Sequence, residues 1–466
     1  MNERPVERTL GELRAAGWRS RTVKEEMRAN LLEQIRNDQP FLPGILGYDE
    51  TVLPQLENAI LAGQDVILLG ERGQAKSRIA RSLVGLLDPW LPYVAGTELH
   101  DDPLHPVSPL ARSIVADEGD ATPIAWWARE DRYSEKLSTP DISIADLIGE
   151  VDPIKVAEGR YLGDELTIHY GMLPRTHRGI FAINELPDLA ERIQVGLLNI
   201  MEERDVQIRG YKVRLPLDLY VVASANPEDY TNRGRIITPL KDRFGSQVRT
   251  HYPRKLADEI AIMDAERTAF PVDGIRTASP EYMKQVVAEL THLARQSSDI
   301  SQRSGVSVRV SICNYENILS SALKRAIRLD EQLAVPRVSD LGALVASTTG
   351  KIELETVNDG GEDKVLSRLM HKAVLNVFNR SFGQAELAEV VKGFEGGGAV
   401  QASDTMPSTE YIKQVDAMPS LRAAAAKLGA TEPAALAAAI EFVLEGLRLS
   451  KKLNKDVQAG RYRYRS

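Results

Sequence analysis

The chain has almost no cysteine: Cys313 is the only one in 466 residues. No intrachain disulfide is possible, and a reducing cytoplasm is the expected location. Aromatic residues make up 6% of the sequence, too few to suggest a stacking surface for single-stranded nucleic acid. Long apolar runs are missing too. Arg, Lys, Asp or Glu interrupts every candidate, so no membrane partner is expected, and the opening MNERPVERTLGELRAAGWRSR lacks the apolar block of a secretory signal. Basic charge is not in excess: the net charge of −8 argues against nucleic acid as the partner of the whole surface. No internal repeat is present.

What is there is a globular composition, 43% hydrophobic and 27% charged, long enough for two or three packed units. Residues 1–40 read as a helical extension, with Met27, Leu31, Leu32 and Ile35 at helical spacing. FLPGILGYDE then breaks the pattern at Pro43, Gly44 and Gly47. DVILLG has the continuous apolar run of a buried parallel strand, and RIARSLVGLL continues from Ser77 as a helix. GIFAINEL and LYVVASANP are two further buried strands. Over residues 41–252 this alternation predicts an α/β core, a parallel sheet flanked by helices. Within it, VQIRGYKVRL reads as a hairpin around Arg209 and Gly210. Residues 253–350 are helical. Residues 351–466 open on a brief strand-like KIELE and form a C-terminal helical region with a glycine-rich linker near 393–408.

Between the first strand and its helix lies GERGQAKS. Backbone N–H groups of such a turn cradle phosphates, Lys76 puts a charge on the β/γ oxygens and the Ser77 hydroxyl is a ligand for Mg2+. Gly70, Glu71, Arg72, Gly73, Gln74, Ala75, Lys76 and Ser77 are therefore assigned to nucleotide binding. The pattern G-x-x-x-x-G-K-[ST] has glycine where this chain has Ala75. A methyl there is expected to matter little, because the chain is already entering the helix with helical φ. At the end of GIFAINEL an Asp-Glu pair would hold the metal through water and polarise the attacking water. Here the pair is Asn184-Glu185. Asn184 keeps an acceptor oxygen and loses the charge, so Mg2+ is expected to be held less tightly. Glu185 remains the base, and Asp188 one turn on is the candidate to compensate.

GERGQAKS, GIFAINELPDLAERIQVGLLNIMEERDVQIRG, ASANPEDYTNRGRIITPLKDRFG and SGVSVRVSI, in this order, resemble the magnesium-chelatase I-subunit and MoxR branch of the AAA+ ATPases. The resemblance covers residues 40–350 and implies a ring-forming, Mg·ATP-driven motor: a P-loop core, then an α-helical lid. It gives Asn226 the role of a sensor of the γ-phosphate or attacking water. Arg243, preceded by Asp242, matches an arginine finger offered to the neighbouring subunit's nucleotide, and Arg309 matches the lid's sensor arginine. Ile45, Leu46 and Gly47 match the apolar loop against the adenine. It further implies a homo-oligomeric ring, a hexamer by family expectation, working on a separate partner protein. No D-x-S-x-S pattern is present, so a von Willebrand-type domain would belong to that partner.

The leading expectation is an ATPase that remodels a partner or inserts a metal into it, with the ATPase subunit of a magnesium chelatase acting on a tetrapyrrole as the alternative. Asn184 keeps a second alternative open, a nucleotide-gated scaffold with little turnover. A DNA-linked activator would carry G-A-F-T-G-A where this chain has GRYLGDELTIHYG. Weaker signals read as structure. LHDDPLHP, with His100, Asp101, Asp102 and His105, is expected to be a solvated loop, and Cys313 a small buried side chain. The Ala-rich SLRAAAAKLGATEPAALAAAIEFVLEGL is expected to be packing helices and GRYRYRS a frayed end.

Overall fold

The computed structural model describes residues 3–151, 168–203, 205–207, 214–227, 235–303, 305–355, 361–383, 385–458 and 461–466. Two compact units divide it, Met1–His251 and Tyr252–Ser466.

The first unit is built on five parallel strands: β1 (Val66–Leu69), β2 (Tyr133–Leu137), β3 (Gly179–Asn184), β4 (Leu219–Ala225) and β5 (Ser246–Arg249), in the spatial order β5-β1-β4-β3-β2. Each strand presents alternate side chains to opposite faces. Val66, Leu68, Ile180, Ala182, Tyr220, Val222 and Val248 bury one face under α2 (Val23–Arg36), α3 (Val52–Leu61) and α4 (Lys76–Ser82). Ile67, Leu69, Phe181, Ile183, Val221 and Ala223 bury the other under α5 (Glu191–Glu203) and α6 (Thr238–Arg243). Two covered faces explain why the central strands read as unbroken apolar runs. The expected parallel sheet flanked by helices is what the chain forms.

The first forty residues, with α1 (Leu10–Ala15) and α2, are part of this unit. α2 starts at a capping box of Thr22 and Glu25 and sends Met27 and Leu31 into the core. Both oxygens of its Glu26 accept from the Arg132 guanidinium, at 2.7 and 2.6 Å, with Arg132 1% and Glu26 2% exposed. Val23 N–H donates to Asp218, and Lys24 pairs with Asp65 at 3.0 Å. Nothing in the apolar spacing of α2 separates the buried Glu26 from the exposed Glu25.

The LHDDPLHP loop is not solvated. Asp101 is fully buried and accepts from Val107 N–H, Ser108 N–H and the Ser108 hydroxyl, so its carboxylate organises the loop from inside. His100 stacks on Trp127 with ring centroids 3.7 Å apart. Strands Asp205–Gln207 and Arg214–Pro216 pair antiparallel, as the hairpin reading expects, while Arg209 and Gly210 lie outside the described residues. So does most of GRYLGDELTIHYG.

The second unit is mostly helical, including α7 (Leu256–Glu266), α8 (Glu281–Gln296), α9 (Val308–Arg328), α10 (Gly361–Ser381), α11 (Ala388–Glu395), α12 (Ser408–Val415), α13 (Pro419–Lys427) and α14 (Pro433–Leu449). The Ala-rich α14 is apolar on nearly every side and buried accordingly. Cys313 on α9 is half-buried rather than buried. KIELE is not a strand; it contributes one bridge, Ile300 to Leu354. The glycine-rich stretch 393–408 is not a free linker. It carries the end of α11 and a strand, β6 (Val400–Ala402), which joins β7 (Asn454–Gln458) and β8 (Arg461–Arg465) in the order β6-β8-β7. GRYRYRS is therefore no frayed end: its alternation puts Tyr464 inside, donating to Glu445 at 2.6 Å, with the arginines outward.

Candidate functional site

Parallel strands deliver their carboxyl ends to one edge of the sheet, and ligands in such folds bind outside that edge. β1 and β4 are in register through Leu69 and Ala225, and β3 ends at Asn184 beside Leu137 of β2. The residues following these ends are Gly70, Glu185 and Asn226. Three of the motifs quoted above thus meet because the strands are parallel.

Gly70 to Ala75 form the loop between β1 and α4. A Cβ on Gly70 would lie 2.0 Å from Thr250 Oγ1 and 2.2 Å from Gln74 Oε1, so any side chain there would displace both groups. Gln74 points inward. Its Oε1 accepts from Glu71 N–H at 3.1 Å and from the Thr250 hydroxyl at 2.8 Å, bracing the loop against the residue that follows β5. Glu71 is half-buried and Arg72 exposed on the outer turn, and Gly73 has φ +73°.

Ala75 corrects its expectation. It has φ +57° and ψ +16°, left-handed rather than helical, so the glycine of the pattern is replaced where it was most useful. A Cβ in this region carries a strain of about 1–2 kcal/mol. Because glycine also enlarges the freedom of the unfolded chain, Ala75→Gly is expected to leave thermal stability nearly unchanged. Ala75→Val, β-branched at the same φ, should lower it by more than about 1 kcal/mol. Equal unfolding curves for all three would contradict the left-handed conformation.

Lys76 is buried, and its ammonium donates to three acceptors: the carbonyls of Gly70 and Glu71, the latter at 2.9 Å, and Asn226 Oδ1 at 2.8 Å. Asn226 Nδ2 donates in turn to Glu185 Oε2 at 3.1 Å. Glu185 is itself left-handed, φ +54°, its N–H held by Ser224 Oγ at 3.2 Å. Lys76, Asn226 and Glu185 therefore form one chain of hydrogen bonds, with left-handed backbone at Glu185 itself and at Ala75 next to Lys76. Strain of this kind persists where the surroundings over-determine it and clusters at functional sites.

Beside that chain runs a second one. The Ser77 hydroxyl donates to Asn184 Oδ1 at 3.4 Å, and Ser224 Oγ donates to the same oxygen at 3.2 Å. Asn184 Nδ2 donates to Glu135 Oε1. Arg81 holds both Glu135 oxygens, at 2.7 and 3.0 Å, and Tyr133 OH donates at 3.2 Å. Burial pushes the Glu135 carboxyl up, but the Arg81 guanidinium and the Asn184 amide leave it below its ordinary value. The carboxylate that meets Asn184 is thus Glu135; Asp188 closes the short turn after Glu185, its N–H on the Glu185 carbonyl. Glu135 was missed in the sequence because YSEKL carries no apolar run. Ser77 Oγ and Asn184 Oδ1 are hard oxygen donors of the kind Mg2+ takes, so these residues fit the ion.

On the other side of the loop, Ile45 is buried, Leu46 exposes 36% of its surface and Gly47 has φ +77°. The Tyr48 hydroxyl, which no sequence motif singles out, hydrogen-bonds to the carbonyls of Gln74 and His251, at 2.9 and 2.7 Å, and so ties this apolar loop to the Gly70–Ala75 loop. Arg243 ends α6, exposed and paired with Glu202 of α5; Asp242 is exposed beside it. Arg309 belongs to the second unit, exposed in the first turn of α9, its N–H on Ser307 Oγ at 3.1 Å. Among the described residues no helix is long and apolar enough to cross a membrane.

No family model matches the chain. Magnesium-chelatase subunit ChlI of Oryza sativa subsp. indica is 29% identical over 274 residues, 54% of this chain and 60% of that protein. ChlI of Nephroselmis olivacea is 26% identical over 362 residues, 70% of this chain and 93% of that protein. The chain thus spans about three fifths of the length of the rice relative. A solved structure described as the complex between subunits BchI and BchD of magnesium chelatase is 20% identical, with a TM-score of 0.37, over 71% of this chain and 94% of that one. The similarity to magnesium-chelatase I subunits read from the motifs is borne out.

Proposed function

We propose that this chain, an AAA+-type relative of the magnesium-chelatase I subunits, is a Mg·ATP-dependent ring motor that acts on a separate protein partner. The observation that carries the reading is the hydrogen-bonded chain Lys76–Asn226–Glu185 at the mouth of the Gly70–Ser77 loop. It holds in one place a cation for the β/γ-phosphates, a polar sensor and a carboxylate base. Gly73 and the left-handed Ala75 turn the loop's backbone around the phosphates, and Leu46 offers apolar surface to the adenine. Lys76 exchanges its loop carbonyls for phosphate oxygens. Glu185 orients a water for attack and takes its proton. When bound, Mg2+ neutralises charge on the phosphate oxygens.

Arg243 supports the ring. Its pair with Glu202 is exposed on both sides, and such pairs contribute only about 0–1 kcal/mol, so the guanidinium is easily surrendered to a neighbour's nucleotide. The test is steady-state ATP hydrolysis across a range of protein concentrations. Specific activity should rise with concentration in the wild type and fall by about 10³-fold or more in Arg243→Ala, with unfolding unchanged. A rate per chain independent of concentration and of Arg243 would overturn the ring.

The partner reading follows the magnesium-chelatase relatives, with insertion of a metal into a client or complex as the job and a chelatase acting on a tetrapyrrole as its special case. A soluble, reducing compartment such as the cytoplasm suits a chain with a single half-buried cysteine.

A further inference from the structure

We infer that Glu135 supplies, from the neighbouring strand, the negative charge that Asn184 lacks, and that it acts on the Mg2+ site as a positioning residue through the Asn184 amide. The inference rests on the reading of the loop as a Mg·ATP site.

The register of β2 on β3 places Leu137 opposite Asn184 and Glu135 opposite Ala182, so Glu135 reaches Asn184 on the diagonal. By accepting from Nδ2 it fixes the amide with Oδ1 toward Ser77. Ser77 and Arg81 lie one turn apart on α4 and close the circuit Ser77–Asn184–Glu135–Arg81. Arg81 approaches from the solvent side, 64% exposed, whereas Glu135 is 19% exposed and shares its Oε1 between Arg81 and the Asn184 amide. Partners behind a ligand of this kind orient it and raise its basicity.

The same contact explains why residue 184 is not aspartate. A carboxylate there would put an oxygen where the amide nitrogen now donates to Glu135, and two like charges at that separation disfavour each other. One carboxylate fits this corner, and it stands at 135.

The experiment titrates a fluorescent ATP analogue with Mg2+ and, separately, with EDTA. It uses the wild-type chain, Glu135→Gln, Asn184→Asp and the double variant, each checked for folding by thermal unfolding. Glu135→Gln keeps an acceptor and removes the charge. Its Mg2+-dependent affinity should fall about ten-fold while affinity in EDTA stays at the wild-type value. Asn184→Asp alone should also weaken Mg2+-dependent binding. The double variant, with one carboxylate again, should return toward wild type. If Glu135→Gln matches wild type, or Asn184→Asp binds Mg·nucleotide more tightly with Glu135 in place, the inference is overturned. Should Glu135→Gln fail to fold, the Asn184→Asp arm decides alone. A wild type that binds no analogue, or binds it equally with Mg2+ and EDTA, overturns the Mg·ATP reading itself.

Discussion

Glu185→Gln is expected to bind ATP as the wild type does and to hydrolyse it about 10²–10⁴-fold more slowly, the range a positioned general base contributes. The expectation follows from where the carboxylate is held. Glu185 leaves β3 in a left-handed conformation, and its carboxylate accepts from Asn226 at the end of β4. Glutamine preserves that hydrogen bond through its own oxygen, so the lysine, the loop and the nucleotide contacts stay in place. Only proton acceptance is lost. Separate measurements of analogue affinity and steady-state turnover check the split; a parallel loss of both would make Glu185 a binding or folding residue and move the base elsewhere.

Glu26→Ala is expected to destabilise the first unit by about 3–5 kcal/mol, because it leaves the Arg132 guanidinium buried without its counter-charge. The remaining acceptor, the Arg178 carbonyl, takes two of its donors at 3.0 and 2.7 Å but carries no full charge. Pairing the change with Arg132→Met should recover much of the loss, since breaking a buried ion pair is far worse than replacing both partners. Denaturant unfolding of the two variants measures the difference. A loss under about 1 kcal/mol in the single variant would mean that α2 is not anchored through this pair.

These two expectations differ in how much of each was legible in the sequence. β1, β3 and β4 are the middle strands of the sheet, covered on both faces, and their unbroken apolar runs announced them. β2 and β5 are its edges; YSEKL and SQVR alternate or mix polarity because only part of each is covered, and neither was seen. The loop, the strand-end residues and hence Lys76, Asn226 and Glu185 belong to the legible strands. Glu135 sits on an illegible one, which is why the carboxylate behind Asn184 had to be located in space. Glu26 has a different reason. A helical wheel sorts residues by face, but the partner that makes a buried glutamate tolerable is Arg132, more than a hundred residues away.

Ala75 shows the limit of motif spelling. The motif's letters place Ala75 at the start of a helix, whereas its φ of +57° belongs to the end of the loop. Backbone sign is a property of the turn, and a pattern that tolerates a substitution in letters does not say what the substitution strains. RYRYR alternates with the period of a strand, and that period was visible; what was missing was the sheet formed with Val400–Ala402 and Asn454–Gln458 that makes the alternation useful.

The most direct test of the central claim is to measure ATP binding and steady-state hydrolysis, with Mg2+, on one preparation of the wild-type chain at concentrations spanning assembly. The account predicts saturable binding together with turnover that rises as the chains associate. Binding without turnover at any concentration would contradict it, and would make the chain a nucleotide-gated scaffold whose Asn184 site holds ATP and leaves it intact.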